Sequence, residues 1–148
     1  PVTYFYKGEF VDRRVLEYNE KDNQERMKKG LSRIDKIIYY RFNPTEFPYS
    51  YWDHGPYIIF WESGQQQIEY YIYDKEQSNY TIIFESGQRK EIDKLNDNEK
   101  EVVVYFTDGN IQKGLQVNNK WEGITTVTFT DGEIIEIEYK DGVEVSRK

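Results

Sequence analysis

The chain has 148 residues, the length of one domain, and its 20 basic and 27 acidic side chains give a net charge of −7. It contains 15 Ile, 10 Val and 4 Leu but no Ala, and aromatic residues make up 17%. Because Ala and Leu favour helices whereas β-branched and aromatic residues favour strands, this composition excludes a helical bundle and predicts an all-β protein. The lack of Cys excludes disulfide bridges, thiol catalysis and cysteine zinc sites.

Charge and hydropathy further restrict the class of protein and its expected location. No uncharged run approaches the roughly 20 residues of a membrane-spanning helix, and no signal peptide is visible, so we expect a cytoplasmic protein without membrane contact. The acidic excess argues against direct nucleic-acid binding. Residues 42–84 hold one basic and six acidic side chains, whereas residues 1–41 hold 10 basic and 7 acidic. Two interpretations stay open: a solvated β surface, or an acidic face for a basic partner.

The first third of the chain is predicted to form two divergent hairpins. Their turns would lie at Lys7-Gly8 and Lys29-Gly30, which are 22 residues apart. The alternative for the second hairpin is a short helix over residues 23–29. Asp22 and Glu25 resemble a capping box for that helix, and Gly30 would end it.

A segment rich in proline and aromatic residues, 43–56, then interrupts the spacing of the glycines. Prolines restrict the backbone and remove ladder hydrogen bonds, which predicts a rigid loop. Such a loop is either a plug between two halves of the sheet or a binding element. For a binding element, the predicted partner-contacting residues are Phe47, Tyr49, Tyr51, Trp52, Asp53 and His54.

Each of these residues has an expected role. Alternation along an extended segment would place Tyr49 and Tyr51 outward and Trp52 inward as an anchor. Asp53 would lie in a negative rim, and His54, expected in a surface loop, would supply a pH-sensitive contact.

A repeat organises the rest of the chain. Four short segments end in an aromatic residue, two further residues and a glycine: Trp61 to Gly64, Phe84 to Gly87, Phe106 to Gly109, and Phe129 to Gly132. The glycines are 23, 22 and 23 residues apart, and apolar alternation precedes each of them. Each unit is therefore predicted to be one antiparallel β-hairpin. The predicted organisation of a single domain is divergent hairpins in 1–42, the insertion 43–56 and four hairpin repeats in 57–148.

The repeat predicts two rows of side chains on one face of the sheet. One row is aromatic and the other aliphatic: Trp61, Phe84, Phe106 and Phe129, and Ile59, Ile82, Val104 and Val127. Core packing is the main interpretation, and an exposed aromatic stripe is the alternative. We expect an all-β, meandering antiparallel sheet that is curled or partly open, with edges at residues 3–6 and 143–146.

These units resemble the MORN-like repeat family, in particular its bacterial β-hairpin variant with repeats of about 23 residues. The resemblance rests on the four aromatic-x-x-Gly segments in 57–148, while the second glycine of a unit is missing after Gly64 and Gly87. It implies an elongated sheet used for protein association, in some bacterial members as an antitoxin. It implies no catalytic residues.

No constellation in the sequence indicates catalysis, a metal site or a cofactor. His54 and Asp53 are adjacent, but a general base also needs a nucleophile or a substrate cradle, and neither motif is present. The acidic group at Asp93, Asp97 and Glu99 lacks calcium-loop spacing and indicates an acidic turn.

The expected function is therefore a non-enzymatic protein-binding module, in its most specific form an inhibitor, immunity protein or antitoxin. Two alternatives remain, a carbohydrate- or cell-wall-binding module and an acidic mimic of nucleic acid. The oligomeric state is open, and association through edge strands is one possibility.

Overall fold

The computed structural model of the chain describes residues 3–43 and 51–148, with the side chain of Thr3 left out. Within these ranges most residues lie in β-strands. The strands are β1 (Thr3–Tyr6), β2 (Glu9–Glu17), β3 (Ile34–Phe42), β4 (Asp53–Trp61), β5 (Gln66–Ile72), β6 (Lys75–Ile83), β7 (Arg89–Lys94), β8 (Glu99–Tyr105), β9 (Ile111–Val117), β10 (Lys120–Thr128), β11 (Ile134–Lys140) and β12 (Val143–Arg147). One helix among the described residues, α1 (Glu20–Lys28), lies between β2 and β3.

The strands form one open antiparallel sheet in the order of the sequence, from β1 to β12. This confirms the all-β meander, and the outer strands are those that were predicted as edges. By its internal contacts the chain divides into two compact units, residues 1–77 and 78–148. In the described residues no helix is both long and apolar enough to cross a membrane.

Four glycine turns join the hairpins β4–β5, β6–β7, β8–β9 and β10–β11. In each turn the glycine N–H donates to the carbonyl of the aromatic residue three positions earlier, at 2.9–3.0 Å. The repeated aromatic residues therefore belong to the ends of the strands and the turns. Phe106 keeps 36% of its surface exposed, whereas Val104, two residues earlier in β8, keeps 3%. The aliphatic row thus contributes to the core of the second unit more deeply than the aromatic row.

The second N-terminal hairpin is not formed, and the helix that was its alternative occupies Glu20–Lys28. The capping box differs from the predicted one. Asn19 Oδ1 accepts the N–H of Asp22 at 2.8 Å, and Asp22 Oδ2 accepts the N–H of Asn19 at 3.1 Å. The segment after Asn19 is a polar run without β-branched residues, so it favours a capped helix over a strand.

A buried asparagine fixes the helix against the sheet. Asn23 is 2% exposed, and its side chain makes two hydrogen bonds to the backbone of Ile34 at the start of β3. The amide donates to the carbonyl at 2.9 Å and accepts the N–H at 2.8 Å. Both groups are thereby satisfied, so burial of this polar side chain carries no unpaired-group penalty.

The core of each unit has its own buried residues. In the first unit these are Val11, Ile34, Ile37, Ile38 and Phe42. In the second unit they are Ile92, Val102, Val104, Val127 and Ile137, with a buried Thr125 that donates to the carbonyl of Ile137 at 3.2 Å.

Candidate functional site

The residues predicted to bind a partner fall into three groups. Phe47 and Tyr49 lie outside the described residues. Tyr51 is 81% exposed, which agrees with an outward orientation. Trp52 keeps 38% exposure, more than a buried anchor would, although its carbonyl accepts the N–H of Phe42 at 3.1 Å.

The prediction that His54 lies in a surface loop is wrong, and its predicted pH-sensitive contact with a partner stays a prediction. His54 is the second residue of β4 and is 0% exposed. Its ring stacks on Phe42 with centroids 4.9 Å apart and lies 4.8 Å from the ring of Tyr73. The ring of Tyr6 meets it edge-on at 5.4 Å. Three aromatic rings thus pack around the buried imidazole.

The two ring nitrogens of His54 are used by the backbone. Nδ1 accepts the N–H of Tyr73 at 2.9 Å, and since a backbone N–H can only donate, Nδ1 carries no proton. The proton is then on Nε2, which donates to the carbonyl of Tyr6 at 3.0 Å. His54 thus ties β1 and the turn after β5 to β4, a structural role that its place in the sequence did not indicate.

Asp53 lies on the opposite face of β4 because side chains alternate along a strand. Its Oδ1 accepts from Nε of Arg41 at 3.2 Å, and its backbone N–H donates to Oδ1 of Asp74 at 3.0 Å. Partial burial raises the pKa of the Asp53 carboxyl, against the lowering effect of Arg41. Asp53 is thus a half-buried, ion-paired group at the end of β4.

Next to this ion pair, three tyrosines from adjacent strands form a contiguous surface, the tyrosine face: Tyr39 on β3, Tyr57 on β4 and Tyr71 on β5. The ring centroids of Tyr39 and Tyr57 are 5.7 Å apart, and those of Tyr57 and Tyr71 are 5.6 Å apart. All three side chains are half-buried. Rings in contact across neighbouring strands stabilise the sheet and are also held rigidly in place.

The tyrosine face was not predicted from the sequence. Tyr39 and Tyr57 are cross-strand partners, and Tyr71 pairs with Gly55 two residues before Tyr57. The β3–β4 register is irregular between Tyr39 and Arg41, so no simple spacing in the sequence predicts that these rings meet. The high tyrosine content was the one available signal.

The surroundings of the tyrosine face are acidic. Desolvation raises the pKa of Tyr57, and the nearby charges of Asp53 and Glu69 raise it further. Desolvation, followed by the charges of Glu69 and Glu76, raises the pKa of Tyr71 to about 12. The hydroxyls therefore stay protonated at neutral pH and act as donors and acceptors beside carboxylates.

A second surface feature lies at the other end of β4. Arg33 bridges Glu20 of α1 and Glu62 after β4, in ion pairs that are partly exposed. This bridge borders a groove of about 520 Å³ that also contains the exposed Met27 and Leu31. In residues 3–43 and 51–148, no group of three His, Asp or Glu side chains is arranged to hold a metal ion.

Comparison with known proteins identifies no family for this chain. No protein-family model matches the chain, and no curated protein is similar to it. The resemblance to MORN-like repeats therefore stays a prediction that rests on the four aromatic-x-x-Gly segments.

Proposed function

We propose that this protein is a non-enzymatic protein-binding β-repeat module, and that the tyrosine face, together with the exposed Tyr51, is its contact surface. The observation that carries this proposal is the contiguity of the three tyrosine rings on β3, β4 and β5. Tyrosine is among the residues enriched at the energetic centres of protein interfaces, where it offers an apolar ring and a polar hydroxyl.

The rigidity of the tyrosine face supports this proposal. Each ring is fixed by its strand and by a neighbouring ring, so little side-chain entropy remains to be lost on association. Tyr51 adds a ring that is 81% exposed two residues before Asp53. We propose that the three rigid rings form a preformed patch and that Tyr51 adds an adaptable contact near it.

The more specific version of the proposal is an inhibitor, immunity protein or antitoxin that acts by covering its target. The small acidic chain and the resemblance to MORN-like repeats support it. Such a protein needs an interface and no catalytic group, and the tyrosine face supplies the rigid part of an interface.

A site-specific crosslinking experiment tests the contact surface. A photoreactive phenylalanine analogue is placed at Tyr57, and in a matched variant at Tyr105, a half-buried strand tyrosine of the second unit. After irradiation in a lysate of the native host, the proposal predicts a discrete crosslinked protein with the probe at position 57 and none at position 105. Equal crosslinking at both positions, or none at position 57, contradicts the proposal.

A further inference from the structure

A groove on the first unit, the helix groove, lies between the end of α1 and the turn that follows β4. Its apolar wall consists of Met27 in the last turn of the helix, Leu31 after the helix and Trp61 at the end of β4. Met27 and Leu31 keep 50% and 46% of their surface exposed. The volume of about 520 Å³ falls within the roughly 300–1,000 Å³ of pockets that hold a ligand. The helix groove therefore has room for an apolar side chain of another molecule.

Arg33 lines the helix groove, and its charge is already balanced there. It pairs with Glu20 of α1 and with Glu62, which also lines the groove. Its Nη1 also donates to Sδ of Met27 at 3.5 Å, which keeps the methionine side chain beside the ion pair. Because Arg33 is neutralised by two carboxylates, the apolar wall determines what can enter the groove.

The helix side of the groove has a basic rim. Segment 26–33 holds four basic side chains and no acidic one, in a chain whose net charge is −7. Lys28 and Lys29 are exposed, and in residues 3–43 and 51–148 neither ammonium group makes a hydrogen bond or an ion pair. Part of this charge offsets the negative end of the helix macrodipole. Two unpaired ammonium groups beside an apolar wall also attract the carboxylates of another molecule.

Charge complementarity indicates what fits the helix groove. An apolar wall with a basic rim matches a segment that carries an apolar side chain among carboxylates. Arg26 and Lys28 leave the helix about 100° to either side of Met27, because an α-helix has 3.6 residues per turn. Cations on both sides of the apolar wall suit a chain with acidic residues before and after its apolar residue, more than they suit a single small carboxylate.

We propose that the helix groove binds an acidic segment of a partner protein. One aromatic or large aliphatic side chain of that segment enters between Met27, Leu31 and Trp61, and the carboxylates beside it pair with Lys28 and Lys29. This proposal goes beyond the proposed function. The tyrosine face has acidic surroundings, whereas the helix groove has a basic rim and selects a segment of the opposite charge.

A peptide titration tests the proposal without the natural partner. Met27 is the only methionine of the chain, so its methyl group gives one unambiguous NMR signal in the helix groove. The probe is a blocked synthetic peptide with one phenylalanine and two glutamates on either side of it, titrated into the full chain. In two control peptides, glycine replaces phenylalanine or lysine replaces glutamate. We expect the probe to shift the Met27 signal and both controls to bind at least about 5-fold more weakly.

Matched lysine variants separate the basic rim from general charge attraction. Lys28→Gln with Lys29→Gln removes two charges at the rim, and Lys113→Gln with Lys140→Gln removes two exposed charges from the second unit. We expect the rim pair to weaken binding of the probe at least about 5-fold and the distant pair less than about 2-fold. Lys28→Arg with Lys29→Arg keeps both charges and should bind within about 2-fold of the parent.

Matched leucine variants test the apolar wall and keep the Met27 reporter. Leu31 and Leu95 are 46% and 51% exposed, and Leu95 follows β7 in the second unit. We expect Leu31→Gln to weaken binding of the probe at least about 5-fold and Leu95→Gln to leave it within about 2-fold of the parent. Thermal unfolding shows whether each variant is folded.

The proposal is overturned if the Met27 signal does not move, or if the rim pair and the distant pair of lysine variants weaken binding equally. A Met27 signal that shifts with protein concentration in the absence of peptide would mean that a second copy fills the groove. Equally tight binding of free phenylacetate would mean that a small carboxylate does, and either result contradicts the proposal. Crosslinking at position 57 tests the proposed function separately, so either proposal can fail alone.

Discussion

The backbone N–H of Tyr73 donates a hydrogen bond to Nδ1 of His54 over 2.9 Å, between residues 19 positions apart in the sequence. Tyr73 lies in the turn after β5, and its ring also packs against the imidazole. The only histidine of the chain is therefore a fully buried core residue whose two nitrogens satisfy backbone groups of β1 and of this turn.

Replacement of His54 should destabilise the fold strongly. His54→Ala removes a buried ring together with its hydrogen bonds to the N–H of Tyr73 and the carbonyl of Tyr6, so we expect a loss of about 3–5 kcal/mol in the free energy of unfolding. His54→Phe keeps the ring stacking and should still lose about 1–3 kcal/mol, because these two buried hydrogen bonds are lost. Denaturant titration measures both, with the exposed Tyr51→Ala expected within about 0.5 kcal/mol of the parent. A Phe variant as stable as the parent would show that the hydrogen bonds are dispensable.

Two glycine turns of the repeat should respond differently to the same substitution. Gly109 and Gly132 have φ of +95° and +89°, so alanine is strained at both. A Cβ on Gly109 would lie 2.7 Å from Cγ2 of Thr130, whereas a Cβ on Gly132 meets nothing within 4 Å. We expect Gly132→Ala to cost about 1–2 kcal/mol and Gly109→Ala about 1–3 kcal/mol more, as overpacking does. Calorimetry of both variants checks this, and equal losses would mean that Thr130 moves aside freely.

Alkaline titration should reveal the environment of Tyr71. Its pKa is raised from 10.0 to about 12, so the folded state keeps a proton that the unfolded chain releases above pH 10. Between these two values the unfolded state binds fewer protons, and the contribution of Tyr71 to stability falls as the pH rises. The tyrosinate absorbance of the parent minus that of Tyr71→Phe should therefore titrate near pH 12. In Glu69→Gln this midpoint should move down, and a midpoint near 10 in the parent would contradict the burial of Tyr71.

The two rows of the repeat should differ in their effect on stability. Phe106 is 36% exposed, so Phe106→Ala should lower the free energy of unfolding by about 1–2 kcal/mol. The same substitution at a buried phenylalanine costs roughly 3–5 kcal/mol. Val104 is 3% exposed and packs against Ile92 and Val102, so Val104→Ala should cost more per atom removed. Denaturant titration of the two variants measures the contrast. A loss above about 3 kcal/mol for Phe106→Ala would place the aromatic row in the core.

The period of the repeat was predictable from the sequence because glycine at a positive φ and alternation at period 2 are local properties. The regular spacing of the glycines from Gly64 to Gly132 therefore predicted the hairpins of 57–148 and their order along the chain. The degree of burial of each row was not predictable from the sequence. Phe106 and Val104 belong to the same apolar run, and they differ only in that the strand ends between them. The helix was harder to predict from the sequence, because its N-cap is Asn19 and the residues after Asn19 show only weak helical periodicity of apolar side chains.

The candidate site was harder to predict than the fold. Its central residues, Tyr39, Tyr57 and Tyr71, come together through a strand register that an irregularity shifts, and such a shift leaves no mark in the sequence. Asp53, predicted in the negative rim of a partner surface, is ion-paired with Arg41 beside the tyrosine face, and its contact with a partner stays a prediction. His54, its neighbour, points the other way because alternation along β4 sends adjacent side chains to opposite faces.

The claim that the tyrosine face binds a protein is tested by the dissociation constant of the crosslinked host protein. The constant is measured by calorimetry for the parent, Tyr57→Ser and the matched Tyr105→Ser, each confirmed as folded. Loss of an interface anchor predicts that Tyr57→Ser weakens binding by at least about 2 kcal/mol, roughly 30-fold, while Tyr105→Ser binds like the parent. Equal affinity of the parent and Tyr57→Ser would contradict the claim and place the contact surface elsewhere on the chain.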